Sequence, residues 1–319
     1  MNQPLVSVHV TSYNQEAFIE DTLESVVHQD YPNLQVVIGD DGSSDSTPEI
    51  VADYHRKYPE RIKLLESSRF GVLGNWNRTL DACDGEYVAI LNGDDLYLPG
   101  KITAQVEWFE QRDSRVFCGH DVEYFDSETG ETLTLSSQIA EPRSGEGAES
   151  FVSRGCPFAT VSVMVKRSVI PDAGFDGRLR ACLDWKFYVD CLADGGEFGF
   201  VEGVYGRYRL HDKNTVHRQG DLMWEDSLVA LALIEAQHPH LTAAVRQGWA
   251  WRYAQRGIAG VQEGRDLQEA RRELRVAMKS APLAMPKLPL WYLLTFAPAS
   301  LRERLLGERR SGKDIRGRI

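Results

Sequence analysis

The chain has 319 residues, is 42% hydrophobic and 26% charged, and carries a formal charge of −11. That is the make-up of a soluble globular protein large enough for one α/β domain with an appendage, or for two domains. The acidic balance argues against general nucleic-acid binding. Five scattered cysteines without a Cys-x-x-Cys pair argue against a disulfide framework or structural zinc and for a reducing cytosol.

The charge is unevenly spread. Residues 1–220 hold 20 Lys and Arg against 36 Asp and Glu, whereas residues 221–319 hold 16 against 11. Met1 runs almost directly into Leu5–Val10, a β-branched run that predicts a strand, so no cleavable signal peptide is expected. Apolar residues at helical spacing predict a helix over Glu16–Gln29, followed by a strand at Leu34–Ile38. Ser46-Thr47-Pro48-Glu49 reads as a helix start with a hydroxyl cap and an early proline. Arg61–Leu65 predicts a strand, Asn75–Ala82 a helix and Glu86–Leu91 a strand. This alternation predicts an α/β fold with a mostly parallel central sheet flanked by helices on both faces, and ligands at the carboxyl ends of its strands.

Further along, Val116–Phe125 predicts a strand and Asp126–Glu131 a hairpin turn. Glu141–Gly147 reads as a loop, and Thr160–Val165 as a strand leading into a short helix at Lys166. From about Asp221 the pattern is helical: Leu222–Ala236, Leu241–Gln262 and Leu267–Lys279. The apolar stretch Leu288–Phe296 is too short to span a bilayer, which takes about 20 residues.

Two acidic pairs carry the chemistry. Asp40-Asp41 lies where the second strand ends, in Gly39-Asp40-Asp41-Gly42-Ser43-Ser44-Asp45. A polar turn accounts for glycine and short polar residues, while a carboxylate fixed there would accept a nucleobase imide N–H. Asn92-Gly93-Asp94-Asp95 closes the fourth predicted strand. One or two carboxylates plus substrate phosphates is the usual way to hold Mg²⁺ or Mn²⁺. Aspartates at the N-terminus of a following helix would also favour the helix dipole, so both readings stand at this level.

Three segments together resemble the family 2 glycosyltransferases of GT-A, Rossmann-like fold: Val6–Asn14, Val37–Thr47 and Gly85–Pro99. The similarity covers roughly residues 4–215. It implies a catalytic domain over 1–220, with a nucleotide-sugar part to about residue 100, an acceptor part over about 101–220, and a helical C-terminal region over 221–319. It places Thr11, Tyr13, Asp40, Asp41, Arg69, Asn75 and Asn92 at the nucleotide. Asp94, supported by Asp95, is the expected metal ligand, with Asn92 standing where the family has a first carboxylate. Ala181–Tyr188 resembles the family's Glu-Asp-Trp/Tyr element, which makes Asp184 the expected catalytic base although Leu183 replaces the glutamate. A helix-capping role for Asp184 fits the same sequence. Tyr208–Asn214 resembles the segment in which His211 would complete the metal shell and Arg209 offset diphosphate charge. His120 beside Asp121 is read as structural.

The resemblance thus implies inverting transfer from a UDP- or dTDP-linked sugar, with Mn²⁺ or Mg²⁺, to a saccharide or lipid-linked acceptor of bacterial surface polysaccharide. A sugar-1-phosphate nucleotidyltransferase is disfavoured because Val10–Asn14 has no glycine. A non-catalytic nucleotide-sugar-binding relative remains the alternative that Asn92 and Leu183 support. The tail, Trp291–Phe296 followed by Arg302, Arg304, Arg309 and Arg310, would suit either the inner face of a membrane or helix packing, on the domain or on a second copy. A cytoplasmic location follows, with membrane contact only peripheral.

Overall fold

The computed structural model describes residues 3–212, 214, 220–281 and 285–306. Its centre is a mixed sheet with strands β1 (Val6–Ser12), β2 (Leu34–Asp40), β3 (Ile62–Leu64), β4 (Tyr87–Asn92), β5 (Leu96–Tyr97), β6 (Arg115–Asp126), β9 (Met164–Lys166) and β10 (Glu197–Leu210) in the order β3-β2-β1-β4-β9-β6-β10-β5. Short β7 (Thr132–Leu135) pairs with β6, and β8 (Gly145–Glu146) with β10. The long pairings, β1 with β2 and β4 and β6 with β10, are parallel, while β9 is antiparallel to both β4 and β6.

Most strand residues divide between two cores. Tyr87, Ala89 and Leu91 of β4 join Val6, Val8, Val10, Val36 and Ile38 on one face, under the helices Ile19–Val27 and Lys101–Phe109. Val88 and Ile90 join Val37, Phe117, Phe187 and Tyr188 on the other. This period of two, buried on both sides, is what makes β2 and β4 read as continuous apolar runs, while the second face of β1 carries Ser7, His9 and Thr11. The second core also takes in Ala230, Leu231 and Ile234 of the helix Gly220–Gln237 and Ala244 and Val245 of the helix Thr242–Glu263. A third, smaller cluster holds the later helices together through Ala254, Val261, Leu274, Leu288 and Leu294.

The expected strands and helices of the first hundred residues are present, and Asp126 closes the β6–β7 turn by accepting from the amides of Glu128 and Thr129. Three expectations need correction. The Ser46 side chain does not cap its helix; Asp45 Oδ1 accepts the Thr47 amide instead. Thr160–Ser162 is a 3-10 turn, with the strand beginning at Met164. The acidic pair at 94 and 95 does not open a helix, because the chain forms β5 first and the next helix starts at Lys101.

Candidate active site

A cleft of about 520 Å³ opens at the carboxyl ends of β1, β2 and β4, which supply Thr11 and Ser12, Asp41 and Asn92 to its lining. Its far residues come from the Phe158–Thr160 loop, the 180–184 segment, the end of β10 and Met223.

At the β4 exit the chain turns against β1, with the Gly93 amide donating to Thr11 O at 2.9 Å. A side chain at 93 would collide with Gln15 and lie 3.1 Å from the Thr11 carbonyl, so the turn demands glycine. The two aspartates that follow point different ways. Asp94 lines the cleft, and its Oδ2 lies 3.1 Å from His211 Nε2. The His211 ring is held by stacking on Phe18, 4.7 Å between centroids.

Asp95 turns inward, contrary to its expected place among the metal ligands. It is 1% exposed, and its Oδ1 accepts the Arg209 amide at 3.0 Å. Burial, together with the Asp94 charge, holds its carboxyl well above the ordinary aspartate range. Arg209 is likewise committed inside the protein rather than to a diphosphate. Its Nε donates to Asp94 O at 2.9 Å, its Nη2 donates to Asp21 at 3.0 Å, and the guanidinium packs against Phe18 and Phe125. Together Asp95 and Arg209 clamp the β4 exit to the end of β10 and so aim Asp94.

The first acidic pair divides in the same way. Asp40 is fully buried and accepts from Ser12 Oγ, the Ser43 amide and hydroxyl, and Ser67 Oγ, which leaves it no capacity for a base. Asp41 lines the cleft, and among the described residues only its Oδ1 is engaged, by the Phe70 amide at 2.7 Å. Asp40→Ala is expected to destabilise the fold by about 2–4 kcal/mol, because several buried donors lose their acceptor. Denaturant unfolding measures it, and a loss under about 0.5 kcal/mol would contradict this account.

Thr11, Tyr13, Asn75 and Asn92 lie on the cleft lining. Asn75 spends its amide on Gly39 O and Arg78 Nε, which ties its helix to β2. Arg69 stands outside the lining and donates to Tyr13 OH at 3.2 Å. His120 is buried, and Asp121 is saturated by Ser136, Ser137 and the Val122 amide, so the pair is structural.

Asp184 sits in the first turn of the helix Leu183–Leu192 and lines the cleft. It is not the cap, which is Cys182. Its Oδ2 accepts from Thr160 Oγ1 at 3.1 Å and its Oδ1 from the Trp185 amide at 2.7 Å. Burial raises its pKa above the ordinary value against these hydrogen bonds.

Two features escape any local reading of sequence. Arg180 is exposed on the cleft, and among the described residues its guanidinium makes no hydrogen bond or ion pair. Asp226, 4% exposed on the helix Gly220–Gln237, accepts at one oxygen from the amides of Arg180, Ala181 and Cys182 at 3.0, 2.8 and 2.8 Å. It therefore fixes the backbone that presents Asp184. Asp226→Ala is expected to lower stability by about 2–4 kcal/mol, because three backbone amides lose a buried acceptor. Thermal and denaturant unfolding check it, and an unchanged transition would contradict this role.

The sequence model of Glycosyl transferase family 2 matches residues 7–167. The chain spans about a third of the length of three mycobacterial relatives, matching 35% of each at 35% identity. Bacillus subtilis TuaG, named as a teichuronic acid biosynthesis glycosyltransferase, is 38% identical over 112 residues, or 34% of this chain and 44% of that protein. Among solved structures, S. aureus TarS in complex with UDP-GlcNAc superposes with a TM-score of 0.62 at 17% identity, covering 91% of this chain and 87% of the other. The mannosyltransferase PcManGT from Pyrobaculum calidifontis, in complex with GDP-Man and Mn²⁺, gives 0.57 at 18%, covering 93% and 85%. The fold is therefore GT-A-like, with C-terminal helices.

Proposed function

The chain belongs to glycosyl transferase family 2, and from that footing we propose that it moves a sugar from a nucleotide-diphosphate donor to an acceptor hydroxyl with inversion at the anomeric carbon. The observation that carries the reading is one cleft lined both by the Asp94–His211 pair and by Asp184, a carboxylate of raised pKa. A carboxylate of raised pKa placed in a cleft is a candidate for acid–base chemistry.

The residues fit a Mn²⁺ or Mg²⁺ shared with the donor. Asp94 Oδ2 and His211 Nε2 lie 3.1 Å apart on the cleft, close enough that both could ligate one cation. Among the described residues no group of three or more His, Cys, Asp or Glu side chains could hold a metal. Diphosphate oxygens and water would therefore have to complete the shell, as magnesium sites commonly arrange. When bound, the cation supplies positive charge to the departing diphosphate. Arg180 takes the diphosphate role first expected of Arg209. Thr11, Tyr13, Asp41 and Asn92 cradle the nucleoside, while Asp40, Asp95 and Arg209 hold the frame.

Asp184 takes the acceptor hydroxyl's proton. The freed oxygen bonds to the anomeric carbon, the bond from that carbon to the diphosphate oxygen breaks, and the nucleoside diphosphate leaves with the electron pair. The nucleotide sugars bound by the structural relatives, UDP-GlcNAc and GDP-Man, and the TuaG name make UDP- and GDP-linked sugars and a surface-polysaccharide acceptor the first to try, with dTDP-linked sugars beside them. A panel of UDP-, dTDP- and GDP-sugars with Mn²⁺ tests the reading. Release of nucleoside diphosphate is expected with at least one donor, and binding without any turnover would point to a non-catalytic nucleotide-sugar-binding relative.

The raised pKa of Asp184 has a kinetic sign. The base must be ionised, so kcat/KM falls as pH drops through its pKa, and that pKa lies above the ordinary aspartate value of about 3.9. The acid limb of the pH profile is expected above that value. A flat profile down to it would remove Asp184 from the proton transfer.

A further inference from the structure

We propose that the segment 285–306 docks on an anionic lipid surface through the outward side chains of Leu290, Leu293, Phe296, Leu301 and Leu305. Among the described residues twelve large hydrophobic side chains are exposed, and six of them fall between Leu290 and Leu306. The others are scattered from Tyr13 to Val276, as ordinary surfaces allow.

The exposed face is built by the fold. In the helix Leu288–Leu294, Leu288 and Leu294 turn into the third core, which leaves Leu290 and Leu293, 60% and 63% exposed, on the outer side. Phe296, 58% exposed, extends that face one turn on, with its ring packed on one side by the Arg271 guanidinium at 3.7 Å. The helix Ala299–Leu306 continues with Leu301 and Leu305, 43% and 60% exposed, one turn apart. No helix among the described residues is long and apolar enough to cross a membrane. The arrangement suits a segment lying on a surface.

Charge selects the partner. Residues 285–306 hold Lys287, Arg302 and Arg304 against Glu303, net +2, and residues 285–319 together are net +5, in a chain of −11 whose residues 1–284 carry −16. Exposed Lys287 precedes the apolar face and exposed Arg304 lies among its last leucines, where basic side chains can reach lipid phosphates, while Arg302 donates to the Ala297 carbonyl. Arg309 and Arg310 lie outside the described residues. The acidic body also excludes a general attraction to anionic lipid, so this segment alone would hold the protein at the surface.

Co-sedimentation of the full chain with vesicles tests the proposal without any enzymatic readout, so its failure is separate from failure of the catalytic reading. Vesicles of phosphatidylcholine alone are compared with an equal mixture of phosphatidylcholine and phosphatidylglycerol, at low and high salt. At low salt the bound fraction is expected to be at least about tenfold higher on the mixture, and to fall at high salt. The double variant Leu290→Asp/Leu293→Asp is expected to lose that binding while keeping its melting temperature. Equal sedimentation with both vesicle types, or unchanged binding by the double variant, would overturn the proposal. A dimer seen by light scattering for the wild type and lost in the variant would overturn it too, by making a second copy the occupant.

Discussion

Asp184→Asn is expected to reduce sugar transfer by about 10²- to 10⁴-fold, the range a positioned general base contributes. The substitution is close to isosteric, and the amide can keep the local structure. Its oxygen can accept the Trp185 amide as Asp184 Oδ1 does, and its NH₂ can donate to Thr160 Oγ1 once that hydroxyl turns. The melting temperature should therefore move by no more than a few degrees. Donor binding should also survive, because Thr11, Tyr13, Asp41 and Asn92 are untouched. Transfer kinetics and calorimetric titration of the nucleoside diphosphate check the two halves. Near wild-type transfer by this variant would sink the assigned mechanism.

Loss of the proposed metal is expected to be the second large effect. Chelation followed by Mn²⁺ titration is expected to abolish and restore transfer, and Asp94→Asn to cost about 10²- to 10³-fold at saturating metal, several kcal/mol of charge stabilisation. His211→Ala should cost less, since it removes a neutral ligand and leaves the carboxylate. Asn92 sharpens the expectation. It brings no charge where a second carboxylate would stand, so half-saturation by Mn²⁺ should respond strongly to the diphosphate that supplies the other oxygens. Activity untouched by chelation would separate this cleft from metal chemistry.

Much of the architecture was legible because β2 and β4 carry the apolar runs Val36–Ile38 and Tyr87–Leu91, buried on both faces, while β1 alternates Val6, Val8 and Val10 with polar residues. Strand β10 was not. Gly199, Gly203 and Gly206 interrupt it, charged Glu202, Arg207 and Arg209 lie along it, and its pairing with β6 shifts register after Glu197, Val201 and Val204. No simple alternation survives such irregularity.

The site shows a sharper limit. Motif positions say which residues stand at a strand end but not which way each one faces. Asp40 and Asp41, like Asp94 and Asp95, are neighbours on the chain with opposite duties, because consecutive side chains leaving a strand point to opposite sides. In each pair one member enters the cleft and the other is spent on holding the backbone. Arg209 was misassigned for the same reason. A guanidinium near a diphosphate site has two uses, and only its partners Asp21 and the Asp94 carbonyl decide between them. Asp226 gave no signal at all, since its three acceptor contacts join residues more than forty positions apart.

The most direct test is a crystal structure with a nucleoside diphosphate and Mn²⁺, located by its anomalous scattering. The expected result is one Mn²⁺ about 2.1–2.2 Å from Asp94 Oδ2 and from diphosphate oxygens, with Asp95 and Arg209 left in their present contacts. A metal bound elsewhere, or a nucleotide outside this cleft, would contradict the assignment.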